Sequence, residues 1–79
     1  MSTLILDTEF ADLAATEWVS VGLVPLDGDQ PSFYVERKVL PVATEFVRNV
    51  VYPLLDGGDS AMPDAMAADA LRRYLHQLP

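Results

Sequence analysis

The sequence predicts an α/β chain in which a three-stranded antiparallel meander is followed by two helices. Three observations lead there. Apolar, β-branched and aromatic residues gather in three short runs in the first half of the chain, each bounded by turn-forming residues. Asp27 and Gly28 stand between the second and third runs, which is a strong hairpin signal. After Pro41 the apolar residues recur every three or four positions, the period of a helix.

The first strand is expected over about 3–10, where Leu4, Ile5 and Leu6 lead into Asp7, Thr8, Glu9 and Phe10. Residues 11–16 are small and acidic and read as a turn. Trp18, Val19, Val21, Leu23 and Val24 carry a second strand over about 17–25, and Phe33, Tyr34 and Val35 a third over about 31–37. Thr44 suits a helix N-cap with Glu45 in the first turn, and Phe46, Val47, Val50 and Val51 mark one face of a helix over about 44–52 that Pro53 ends. Residues 54–60 read as a loop containing Gly57 and Gly58. Pro63 opens a second helix, over about 62–77, with Ala67, Ala70, Leu71, Tyr74, Leu75 and Leu78 as its buried stripe. Arg72, Arg73 and His76 lie toward its C-terminal end, where positive charge suits the helix dipole. An amphipathic helix in this position usually returns the chain to its sheet. The expectation is therefore a single partial domain over 1–79, the N-terminal portion of a longer protein, with one sheet edge open.

Composition narrows the chemistry. The chain has 79 residues, 51% of them hydrophobic and 22% charged, so a globular domain is expected rather than a disordered segment. It has no cysteine, which excludes disulfides, thiolate zinc sites and a cysteine nucleophile. No apolar run is long enough to span a bilayer and no basic leader precedes the first apolar run, so a cytoplasmic protein without membrane partners is expected. A net charge of -7 argues against a basic phosphate-binding domain. It leaves nucleic acid open as a substrate, because bound divalent cations would supply the missing positive charge. Gly57 and Gly58 lack the Lys and Ser/Thr of a P-loop, and no serine sits in a G-x-S-x-G elbow.

Asp7 and Glu9 carry the candidate chemistry. Strand residues two apart share a face and lie about 6.6 Å apart along the chain. Both carboxylates therefore project together from an apolar strand, where an unpaired couple repels and desolvates unless protonated or metal-bound. Hard oxygen donors of this kind suit Mg²⁺ or Mn²⁺, and two such ions about 4 Å apart activate water for in-line attack on a phosphoryl group. By the spacing alone, two solvated carboxylates at a strand end are the commoner case, because D-x-E is a frequent tripeptide.

Residues 4–10 with their D-T-E-F motif (Asp7, Thr8, Glu9, Phe10), the strand from Glu17 to Val24, the Asp27–Gly28 turn, the Phe33, Tyr34 and Val35 run, and Phe46, Val47, Arg48, Asn49, Val50, Val51, Tyr52 and Pro53 together resemble the start of the DEDD 3′–5′ exonuclease superfamily. This ribonuclease H-like group includes ribonuclease T and oligoribonuclease, and the likeness is nearest to a bacterial exoribonuclease subgroup that opens with D-T-E-F. It covers roughly residues 4–55. The resemblance implies a ribonuclease H-like fold. It implies that Asp7 and Glu9 are catalytic residues holding two Mg²⁺ or Mn²⁺ ions, and that Thr8 and Phe10 contact the terminal nucleotide. Phe10 would stack on or wedge beside a base; ordinary packing under the sheet is the other reading of that residue.

The superfamily also uses a second-motif Asp, a His or Tyr, and a final Asp, and these are absent from the 79 residues. His76 precedes any such motif and reads as a solvated helix residue. Arg37, Lys38 and Arg48 are either phosphate contacts or surface charges. The expected function is thus a two-metal 3′–5′ exonuclease acting on the 3′ end of RNA or single-stranded nucleic acid and releasing nucleoside 5′-monophosphates. Such activity belongs to the full-length protein, and this chain is expected to be inactive alone. The alternative is a non-catalytic acidic interaction module derived from a truncated exonuclease fold, a homodimer closing its open edge.

Overall fold

A computed structural model describes residues 3–14, 16–26 and 30–78. The chain is α/β, a four-stranded mixed sheet followed by one α-helix. Strands β1 (Leu4–Phe10), β2 (Trp18–Pro25), β3 (Phe33–Arg37) and β4 (Ala61–Met62) lie side by side in that order, and α1 spans Asp64–His76. β1 and β2 are antiparallel, as are β2 and β3; β4 joins β3 in parallel. The expected hairpin turn at Asp27 and Gly28 lies outside the described residues.

The first two strands pair from Leu4 opposite Pro25 to Glu9 opposite Ser20. The register then shifts, because Phe10 pairs with Trp18 and leaves Val19 as an extra residue on β2. Such a bulge reverses the alternation beyond it. Strict alternation would put Trp18 on the face of Ser20. With the bulge, Trp18 joins Val21 and Val35 beneath α1, where they line an apolar cavity of about 200 Å³ with Ala67, Ala68 and Leu71. Val19 itself is fully buried.

α1 starts at Asp64, two residues later than the sequence predicts. A residue preceding proline is driven toward extended backbone. Met62 precedes Pro63, and Pro63 itself is extended with ψ 153°. Ala61 and Met62 therefore pair with Glu36 and Arg37 as β4, and the Lys38 N–H donates to the Met62 carbonyl at 2.9 Å. The strand is too short to leave a pattern in the sequence, so the expected all-antiparallel sheet is corrected to a mixed one. Ala67 and Tyr74 are the buried residues of α1, while Leu75 of the expected stripe is 44% exposed. The N-terminus of α1 is tied down by Arg37, which grips Asp64 with Nε and Nη2, both at 3.0 Å, and Glu17 with Nη1 at 2.6 Å. The same guanidinium lies 5.9 Å from the Trp18 ring centroid.

The helix expected over 44–52 is not a regular α-helix. Thr44 caps its start as expected, its Oγ1 accepting from the Val47 N–H at 3.3 Å. Val47–Val51 then form a wide π-type turn, closed by the Tyr52 N–H on the Val47 carbonyl, and Tyr52–Leu54 tighten into a 3₁₀ turn. Pro53 supplies the reason. It has no N–H to give, and in an α-helix its ring would strike the carbonyl four residues earlier. The backbone widens before the proline and narrows around it. Val47 is buried, and the Thr44 N–H on the Ala11 carbonyl sets the start of this segment beside the end of β1.

Candidate functional site

The pleat divides the sheet into two chemically distinct faces. Phe33, Val35 and Arg37 point toward α1, as do Val21 and Leu23 opposite them. On the other face Asp7 lies opposite Gly22, and Gly22 opposite Tyr34; Glu9 lies opposite Ser20, and Ser20 opposite Glu36. Two rows of small or polar residues thus cross three strands. The segment after β3 folds over them, and Asp7, Glu9, Ser20 and Tyr34 form a cleft of about 200 Å³ with Val51, Leu54 and Leu55. Its floor is acidic and its wall aliphatic.

Asp7 and Glu9 are brought together here as the two-residue spacing requires. Both are exposed. The ion pairs among the described residues join Arg37 to Glu17 and Asp64, and Arg72 and Arg73 to Asp69; Asp7 and Glu9 enter none of them. Thr8 and Phe10 are not brought to the cleft. They alternate onto the opposite face, half-buried, with Thr8 opposite Val21 and Phe10 opposite Trp18. The period that unites the two acids separates them from these neighbours. His76 is exposed on α1, and Arg37 is committed to two carboxylates.

The donor chemistry of the pair is of the kind a hydrated divalent cation takes. Mg²⁺ is commonly held by one or two carboxylates and keeps several waters or phosphate oxygens as its other ligands. Two exposed hard donors in an acidic cleft meet that requirement. Among the described residues no group of three or more His, Cys, Asp or Glu side chains is placed to hold a metal ion.

Sequence reasoning passed over Glu36. It is 1% exposed, and no basic side chain among the described residues pairs with it. Its Oε2 accepts from the Tyr34 hydroxyl at 2.5 Å and from the Asp56 N–H at 2.6 Å, while Oε1 accepts from the Gly57 N–H at 2.7 Å. Gly57 has φ 67° and Gly58 φ 57°, left-handed values that favour glycine. The turn they form aims two successive N–H groups at one carboxylate, an anion-binding nest. Burial pushes the Glu36 carboxyl up, but the bonds from Tyr34, Gly57 and Asp56 outweigh it and hold the group below its ordinary range. Burial pushes the Tyr34 phenol up, and its bond to Glu36 and the charges of Glu36 and Asp56 add to the shift.

This arrangement predicts a pH dependence. A carboxyl whose folded pKa lies below its unfolded value stabilises the fold above the unfolded value, about 4.3 for glutamate. That stabilisation is lost as pH falls through the folded value. Thermal unfolding followed from neutral pH downward should therefore show a steeper fall below about pH 4.3 in the unsubstituted chain than in Glu36→Gln. Parallel curves would remove Glu36 as the source.

No protein-family model, no curated protein and no solved structure matches the chain. No helix among the described residues is long and apolar enough to cross a membrane.

Proposed function

We propose that the chain carries the first metal-binding motif of a ribonuclease H-like, two-metal 3′–5′ exonuclease, with RNA as the preferred substrate. The observation that carries this reading is the cleft: Asp7 and Glu9 share one acidic floor, face solvent and are engaged by no basic side chain among the described residues. The antiparallel order of β1, β2 and β3 supports it as well.

In this reading Asp7 and Glu9 hold Mg²⁺ or Mn²⁺ on the cleft floor. Ions held there would neutralise charge at the terminal phosphodiester and activate water for attack on it. Glu9 would also orient the attacking water. The products are a nucleoside 5′-monophosphate and a strand shortened by one residue. The superfamily's remaining acids and its His or Tyr have no counterpart in these 79 residues, so the chain by itself provides a weak half-site.

The test is hydrolysis of a 5′-labelled RNA oligomer in Mn²⁺, by this chain and by a version extended past Pro79. The expected result is single-nucleotide laddering with the extended version and none with its Asp7→Ala variant. A ladder that survives Asp7→Ala, or no hydrolysis by either version, removes the reading.

A second reading, an acidic interaction module that pairs with another copy of itself, draws on one feature. β1 is the edge of the sheet, and Ile5 and Leu6 on it are 51% and 63% exposed. A dimer in sedimentation equilibrium, together with metal binding unchanged in Asp7→Ala, would favour it.

A further inference from the structure

We propose that Glu36 is a positioning residue of the cleft, its carboxylate latching the wall formed by Val51, Leu54 and Leu55 over Asp7 and Glu9. Among the described residues, Val51 and Leu55 of the wall are only half-buried. The turn Tyr52–Leu54 has no buried residue, and Leu54 is 77% exposed. Its polar tethers are the Tyr52 hydroxyl on the Pro41 carbonyl at 2.7 Å, upstream, and Glu36 on the Asp56 and Gly57 N–H groups, downstream. Glu36 is an expensive choice for packing alone, since a buried carboxylate without a cation loses its hydration. An apolar side chain would fill the space without that penalty, but it would take the carboxylate acceptor away from the Asp56 and Gly57 N–H groups and the Tyr34 hydroxyl. The carboxylate satisfies all three at once, and charge-assisted bonds of this kind are the strong ones.

The latch is also continuous with the site. Glu36 lies in the row of Glu9, across Ser20, and Tyr34 lies in the row of Asp7, across Gly22. Tyr34 therefore both lines the cleft and donates to the latch. Gly57 is the loop's half of the device. A Cβ there would meet nothing within 4 Å, so a substitution strains the positive φ without crowding a neighbour.

The significance of the latch for catalysis rests on the exonuclease reading, but the latch itself does not, and one set of measurements separates the two. Amide hydrogen exchange and NMR cross-peaks between the Leu54 and Leu55 methyls and the Tyr34 ring are compared in the unsubstituted chain, Glu36→Gln and Gly57→Ala. In both variants the amides at positions 56 and 57 should lose about tenfold more protection than the amides of β2 and β3, and the cross-peaks to Tyr34 should fade while those between Phe33 and Tyr74 persist. Gly57→Ala leaves the core untouched and decides the matter if Glu36→Gln does not fold. Protection lost evenly across sheet and loop, or a wall unmoved in Gly57→Ala, overturns the proposal. Mn²⁺ titration of the same proteins tests the other reading: failure of Mn²⁺ to bind the unsubstituted chain would count against the metal site and leave the exchange result standing.

Discussion

Tyr74→Ala is expected to destabilise this chain severely, with a large fall in its melting temperature. Tyr74 is 8% exposed, and its ring packs on Phe33 at a centroid distance of 5.2 Å and a tilt of 38°. Its hydroxyl donates to the Pro31 carbonyl at 2.6 Å. The other buried residue of α1 is an alanine, Ala67, so Tyr74 is the large buried side chain of the helix. Truncating a buried aromatic to alanine typically costs about 3–5 kcal/mol. A domain of this size has a total stability of about 4–12 kcal/mol, so the loss is comparable to the lower part of that range. Tyr74→Phe keeps the ring and removes only the hydroxyl bond, about 1 kcal/mol, which corresponds to a fall in Tm of about 4–8 °C. Circular dichroism melting curves of the two variants check both values. A Tyr74→Ala melt as sharp and nearly as high as that of the unsubstituted chain would show that α1 is fastened elsewhere.

Asp7→Asn is expected to lower Mn²⁺ affinity by about a hundredfold. Removing a group that merely supports a metal ligand commonly costs tenfold to a hundredfold, and loss of an anionic ligand costs at least as much. The substitution is nearly isosteric, and Asp7 is exposed with its backbone already paired in the β1–β2 ladder. Stability should therefore change by less than about 0.5 kcal/mol. Glu9→Gln should act alike, and the double variant should show little further loss if, as proposed, the two groups share one ion cluster. Isothermal titration with Mn²⁺, paired with thermal melts, separates a lost ligand from a lost fold. Equal Mn²⁺ affinity in Asp7→Asn and the unsubstituted chain would mean that the carboxylates are ordinary surface charges.

The site was legible in the sequence where its chemistry is local. A two-residue spacing in an apolar strand puts Asp7 and Glu9 on one face whatever the rest of the chain does. The same arithmetic sends Thr8 and Phe10 to the other face, so the expected nucleotide contacts from their side chains find no support in the cleft. Glu36 was not legible. It reads as an unremarkable strand residue, and the partners that explain it, Asp56 and Gly57, lie 20 and 21 positions away. Gly57 and Gly58 signal a turn, but not what the turn's N–H groups face.

The sequence by itself determined the α/β class, the three long strands, the Thr44 cap and the shared face of the two acids, because each follows from periods and steric rules that span a few residues. Only the tertiary structure decided that β4 joins β3 in parallel, that a bulge at Val19 sends Trp18 beneath α1, that Arg37 clasps Asp64 rather than facing solvent, and that a buried glutamate holds the cleft wall. Those outcomes depend on which distant groups meet, and two residues or a single inserted residue leave no periodic trace from which such meetings could be read.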